Sequence, residues 1–295
     1  MLPLIKDLQQ KKSTINEFID LSLRVLHHLP NVISGIQEKG VYKIYSSNIA
    51  GTIKFVRPIN KNLFIEDPTL FAQNISQLQA ITNRIKNKEV DFTESDKQLL
   101  DSFLYTIQQS IGAGLDLLVD PNSSRKHVGN RFEELMKAFF TEIGIPNKRV
   151  VLKIPYETEE GQKNYVCEND LILSKNFEEI KNKTIEEDEI VVSVKTTSKD
   201  RMAKMFIDKL LLEKFTQKKL KVIGIFLKDV QRKENNNISY TLVSGLFMVY
   251  NSFLTSLEGV YYLDPPPNAF KKPYSNYIKP FSELAMKDIH QLLSS

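Results

Sequence analysis

The stretch Glu189-Ile190-Val191-Val192-Ser193-Val194-Lys195-Thr196-Thr197-Ser198-Lys199-Asp200-Arg201 changes character halfway along. Its first half is β-branched and apolar, the composition of a strand buried on both faces. Its second half is polar and basic and leads into a helix predicted over 201–218. The run Leu220 to Leu227 then reads as a second buried strand. Strand, helix and strand in that order require a right-handed crossover between parallel neighbours. Upstream, Arg149 to Tyr156 and Asn164 to Leu173 read as strands. Before them residues 126–144 carry the helical apolar set Val128, Phe132, Leu135, Met136, Phe139 and Phe140, ended by Gly144 and Pro146. The fold class implied is α/β (α+β), with a central mixed sheet flanked by helices.

Away from this core the pattern loosens. Residues 1–120 read as mainly helical. Ser13-Thr14-Ile15-Asn16-Glu17 resembles a capping box, and further helices are expected at 67–86 and 94–112. Val41 to Tyr45 and Thr52 to Val56 alternate as short strands around a turn at 48–51. Asp120-Pro121-Asn122-Ser123-Ser124 is a turn-rich break, and the boundary between an N-terminal region, 1–120, and a second domain, 121–295, is set there. On the far side, a turn at 233–237 leads to a strand expected over Ile238 to Tyr250. Pro265-Pro266-Pro267 opens an extended, Tyr-containing segment, and a helix over 281–293 closes the chain.

The 295 residues are 41% hydrophobic and 26% charged, which excludes collagen-like, low-complexity and wholly disordered chains. A single cysteine, Cys167, makes no intramolecular disulfide, and no Cys/His cluster has zinc-ligand spacing. That usage fits a reducing cytoplasm. No apolar run approaches the ~20 residues that span a bilayer, and no signal-peptide pattern opens the chain. The net charge of +4 is small, but residues 195–221 hold nine Lys/Arg against Asp200, Asp208 and Glu213, a local patch of the kind that meets phosphates.

Three places carry chemistry. Asp170 sits on a strand just before Leu171-Ile172-Leu173, Lys195 ends a strand that is otherwise apolar, and Glu133-Glu134 lie in the 126–144 helix. If the two strands are neighbours, Asp170 and Lys195 meet at one sheet edge and a helix Glu closes the site. Carboxylates hold a hard Mg²⁺ together with phosphate oxygens and waters, and a nearby Lys orients or deprotonates the attacking water, the combination needed for phosphodiester hydrolysis. Adjacent helix positions face about 100° apart, so only one of Glu133 and Glu134 can face such a site. The same residues also allow plainer readings: a surface ion pair for Asp170, and local pairing of Asp208 with Lys204 or Lys209.

Lys195 to Arg201, followed thirteen residues after Lys195 by Asp208, resembles the PD-(D/E)XK superfamily of type II restriction endonucleases, most of all the branch that cuts CCGG, CCNGG or CCWGG sites. In that branch the acid two residues before the Lys is lost and a carboxylate on the next helix stands in for it. Here Ser193 holds the vacated position and Asp208 lies downstream. The resemblance implies Asp170 as the first acid, preceded by Asn169 where the family has Pro, and Glu133 as the helix acid. It also implies that Lys199-Asp200-Arg201 matches the triplet that reads adjacent C:G pairs: Arg and Lys donate to guanine O6 and N7, and Asp accepts from the cytosine amino group. Lys199 replaces an Arg and so lacks the planar fork. The resemblance covers residues 126–228. Residues 1–120 and 232–295 carry none.

The expectation is a cytoplasmic, Mg²⁺-dependent, sequence-specific endonuclease of double-stranded DNA with a restriction-endonuclease-like core. Asp170, Asp208 and Glu133 would be metal ligands, Lys195 would act on water, and Ser193 would bind water. A two-fold site is met by a homodimer. No membrane and no further small-molecule cofactor are expected. The N-terminal region is left to dimerisation, DNA contact or an effector. The rival readings are a structure-specific repair or junction nuclease of the same fold and a non-catalytic DNA-binding module. Outside the site, His27-His28 reads as an ordinary helix pair and Cys167 as a small apolar strand residue. Tyr261, Tyr262, Tyr274 and Tyr277 read as part of an extended segment over the core.

Overall fold

The computed structural model describes residues 2–49, 51–199 and 201–294. Helices α1 (Leu4–Gln9) and α2 (Ile15–Val32) open the chain. Thr14 starts the second with a capping box, its hydroxyl accepting from the Glu17 N–H while Glu17 Oε2 accepts from the Thr14 N–H. A small antiparallel sheet follows, made of β1 (Gly35–Lys39), β2 (Tyr42–Ile49), β3 (Thr52–Phe55) and β4 (Ile59–Asn60). The turn at 48–51 is where the alternation put it; β1 and β4 are additions to the expected pair. Helices α3 (Pro68–Gln73) and α4 (Ile75–Lys86) divide the expected 67–86 helix at Asn74. Helix α5 (Glu94–Leu118) is buried along most of its length.

Helix α6 (Pro121–Glu142) corrects the sequence reading. The segment 120–124 is a helix start rather than a break: Asp120 caps it by accepting from the Asn122 and Ser123 N–H groups, and Pro121 occupies the first helical position, where its missing N–H costs nothing.

Strands β5 (Asn147–Thr158), β6 (Gly161–Leu173) and β7 (Ile190–Lys195) lead to helix α7 (Met202–Thr216), and then to strands β8 (Lys221–Lys228), β9 (Val230–Arg232) and β10 (Ile238–Tyr240). Helix α8 (Ser244–Phe253) and strands β11 (Gly259–Asp264) and β12 (Ile278–Pro280) follow, and helical segments from Phe281 to Ser294 close the chain through a π-turn at Leu284–Asp288. The main sheet runs β12-β11-β8-β7-β6-β5, parallel from β12 to β7 and antiparallel from β7 to β5. The expected mixed sheet is therefore present, with the β7–α7–β8 crossover inside it.

Two elements depart from expectation. The strand expected over 238–250 is only three residues long, and 244–253 is helix. The run Leu242 to Tyr250 is too uniformly apolar for a period to show. Its packing decides instead: Phe206 meets Phe247 and Tyr250, one helical turn apart, at ring separations of 5.9 and 5.7 Å. The segment with Tyr261 and Tyr262, in turn, is no surface strap. Both lie in β11, buried inside the sheet, with Tyr261 bonded to Asp288 and Tyr262 to Asp229.

Residue parity along the strands sorts two cores. Leu171, Leu173, Val192, Val194, Ile223 and Ile225 face α5, α6 and the closing helix, in a core that continues through α2 into the N-terminal region. Ile172, Val191, Val222, Val260 and Tyr262 face the other way, towards α7 and α8. Cys167 is buried on that side. No helix of the described residues is long and apolar enough to cross a membrane.

Candidate active site

Strands β6 and β7 pair only at Ile172–Val191 and Leu173–Ile190 and then part. Continuing the register would set Asp170 opposite Ser193, so the parting leaves these two side chains flanking an opening. By parity Asp170, Ser193 and Lys195 share the sheet face that α7 covers. Helix α7 lies close because Gly224, opposite Ser193 in β8, has no side chain: a Cβ there would sit 2.8 Å from the Met205 sulfur. Met205 and Asp208 are three residues apart on one side of α7, so the depth of the helix sets the position of Asp208.

The result is a cleft of about 140 Å³ whose walls include Glu133, Asp170, Ser193, Lys195 and Asp208. Helix α6 contributes Glu133, whose Oε1 accepts from Lys195 Nζ at 2.8 Å. Its neighbour Glu134 is turned elsewhere. That carboxylate pairs with Arg131 at 2.8 Å and accepts from the Lys12 N–H, and burial pushes its pKa up. Asp170 is paired with Arg149 at 3.3 Å, and Asp208 with Lys204 at 2.6 Å. The local Asp208–Lys204 pair that the sequence allowed is thus present, and it lies within the cleft. Burial, and then the nearby charge of Asp208, push the Cys167 thiol pKa up, so that side chain stays a neutral packing group.

The carboxylates do not converge into a cage: among the described residues, no group of three or more His, Cys, Asp or Glu could hold a metal ion alone. The donors are all oxygens, each carboxylate carries one cationic partner, and the space exceeds the ~30 Å³ share of one liquid water. This donor set fits a hard cation that takes one or two carboxylates and keeps its waters, as Mg²⁺ does, and does not fit zinc.

Arg201 also lines the cleft, Lys199 is exposed nearby, and Asp200 lies outside the described residues. The loop that carries them is tied down by a residue the sequence did not mark. Asp229, just past the end of β8 and fully buried, accepts from Ser198 Oγ at 2.7 and 2.8 Å, from the Ser198 N–H at 3.3 Å, from Tyr262 Oη at 3.1 Å and from Thr241 Oγ1. Ser198 in turn accepts from the Arg201 and Met202 N–H groups, the start of α7. Burial pushes the Asp229 pKa up, against these hydrogen bonds. No periodicity marks an acid whose partners are 12 to 33 residues away.

The basic run 195–221 is largely spent within the molecule. Lys195, Lys204, Lys209 and Lys218 pair with Glu133, Asp208, Glu258 and Glu186. The sequence patch is therefore no open phosphate-binding face.

No family model and no curated protein matches the chain. Among solved structures, the type IIP restriction endonuclease Kpn2I superposes at TM-score 0.73 over 95% of this chain and 91% of its own, with 16% sequence identity. The complex of the restriction endonuclease PspGI with substrate DNA aligns at TM-score 0.41 over 77% of this chain and 92% of its own, also at 16% identity, too slight a likeness to weigh. The architecture is that of a restriction endonuclease.

Proposed function

We propose that the protein is a Mg²⁺-dependent, sequence-specific endonuclease of double-stranded DNA, of restriction type, acting as a homodimer on a site that contains C:G pairs. The observation that carries this reading is the convergence of Glu133, Asp170, Ser193, Lys195 and Asp208 on one cleft where β6 and β7 part. Asp170 and Asp208 would hold the ion, with Glu133 completing or supporting the shell. Bound there, Mg²⁺ would neutralise phosphate charge and lower the pKa of its water.

The chain's own groups do the rest. Lys195, held at its ammonium by Glu133, is aimed into the cleft, where it orients the attacking water and offsets charge that develops on the scissile phosphate. The Ser193 hydroxyl can hydrogen-bond a water at the position vacated by an acid. Arg201, with Lys199 and Asp200, reads base edges from the start of α7, a polar end kept in place by Asp229 through Ser198. The triplet favours this over a junction or repair nuclease, which has no use for base-reading side chains beside its scissile phosphate.

Incubating purified protein with unmethylated phage DNA tests the proposal. Discrete fragments with Mg²⁺ that vanish with EDTA are expected. A smear would replace site specificity with structural or nonspecific cleavage. Intact DNA under all conditions would reject the enzyme.

A further inference from the structure

From Asn235 to Leu257 the chain carries no Asp, Glu, Lys or Arg, although it is 26% charged throughout. A charge-free segment belongs in a core, yet much of this one is at the surface. Of α8 and its flanks, only Phe247 and Leu257 are buried as hydrophobic core. Val243 is 63% exposed and Phe253 83% exposed, with Leu246, Val249 and Leu254 also open to solvent. Helix α7 extends the surface. Ala203 lines the groove between α7 and α8 together with Met202, Leu246 and Tyr250, and Ile207 and Leu210, one and two turns further along the same stripe, are exposed. Together these side chains offer several hundred Å² of apolar surface, at or above the ~300–600 Å² of the largest patch on an ordinary monomer.

We propose that this α7/α8 face is the contact between two copies of this chain. Three observations favour a second copy over another partner. The patch is of the order of the ~800 Å² per partner that a standard stable interface buries. It carries no charge, so a two-fold contact, which brings each residue near its own symmetry mate, meets no like-charge repulsion. It is also continuous with the cleft, since α7 presents Lys204 and Asp208 to the cleft and Ala203, Ile207 and Leu210 to the groove side. Pairing across it joins the two clefts through the two α7 helices, as a two-fold duplex site requires. The last point rests on the nuclease reading. The first two do not.

Sedimentation equilibrium of the full chain, without DNA or metal, tests the contact independently of any activity. The expected mass is twice the 34.0 kDa of one chain. Val249→Asp and Phe253→Asp should each give the single-chain mass with unchanged far-ultraviolet circular dichroism, while Val90→Asp, at an equally exposed position elsewhere, keeps the dimer. Hydrogen exchange on the unaltered chain supplies a second reading, with protection of amides 244–254 expected to fall on dilution. A monomeric wild type, a dimer untouched by both substitutions, or protection independent of concentration would overturn the proposal.

Discussion

Glu133 and Glu134 are sequence neighbours in opposite circumstances. Glu133 holds Lys195 in the cleft, whereas Glu134 satisfies the buried Arg131 and the Lys12 backbone. Glu133→Ala should therefore lower cleavage at least 100-fold with little change in melting temperature. Glu134→Ala should cost about 1–3 kcal/mol of stability by stranding a buried guanidinium, with cleavage by the surviving folded fraction retained; thermal melts beside initial rates separate the two. Helix spacing said that only one of the pair could face the site. It could not say which, because that depends on where the sheet lies. At Asp101, burial pushes the carboxyl up from 3.8 to about 7, against two hydrogen bonds from Ser282. The folded chain keeps this proton after the unfolded chain has lost it, so stability falls as pH rises from about 4 to about 7, by up to a few kcal/mol. Melting temperatures of Asp101→Asn should be flatter across that window, and parallel curves for the two proteins would refute the assignment.

At the scale of elements, the sequence was legible where an element is buried on a definite side. Val191, Ser193 and Lys195 alternate with Val192 and Val194, and both the strand and its crossover helix are where that pattern predicts. It was illegible where apolar residues run without a period, as at 242–250, or where a strand is buried on every side, as at 259–264. Capping chemistry was present in the letters but read as a break at 120–124. Since Asp120 caps the helix that carries Glu133, Asp120→Ala should cost about 1 kcal/mol, measurable by denaturant unfolding. Site residues on strands could be read from motif and parity. Asp229 could not, since its partners come from a loop, a turn and another strand. Ser198→Ala removes its strongest hydrogen-bond donor and should weaken site-specific DNA binding more than it lowers the melting temperature. An equal effect of Ser198→Ala on a one-base-altered site would limit Asp229 to a structural part.

At the scale of the molecule, the sequence boundary at 120 falls between two helices that share one core. Residues of α2 and α5 pack in the same cluster as Val192, Ile223 and Leu263 of the main sheet. Polar ties cross as well: Asp264, at the end of β11, accepts from Tyr42 Oη and Asn60 Nδ2, and the adjacent buried Lys228 donates to the Pro58 carbonyl. A fragment of residues 120–295 should therefore show no cooperative melting transition, because removing 1–119 exposes the apolar face of α6. The fold as a whole serves to set Lys195 among carboxylates at a sheet opening, and that is the claim most directly open to test. Cleavage and duplex binding should be measured side by side for wild type and Lys195→Ala, in Mg²⁺ for cleavage and in Ca²⁺ or EDTA for binding. The predicted result is loss of cleavage by three orders of magnitude or more with site-specific binding retained. Undiminished cleavage by Lys195→Ala would contradict the account.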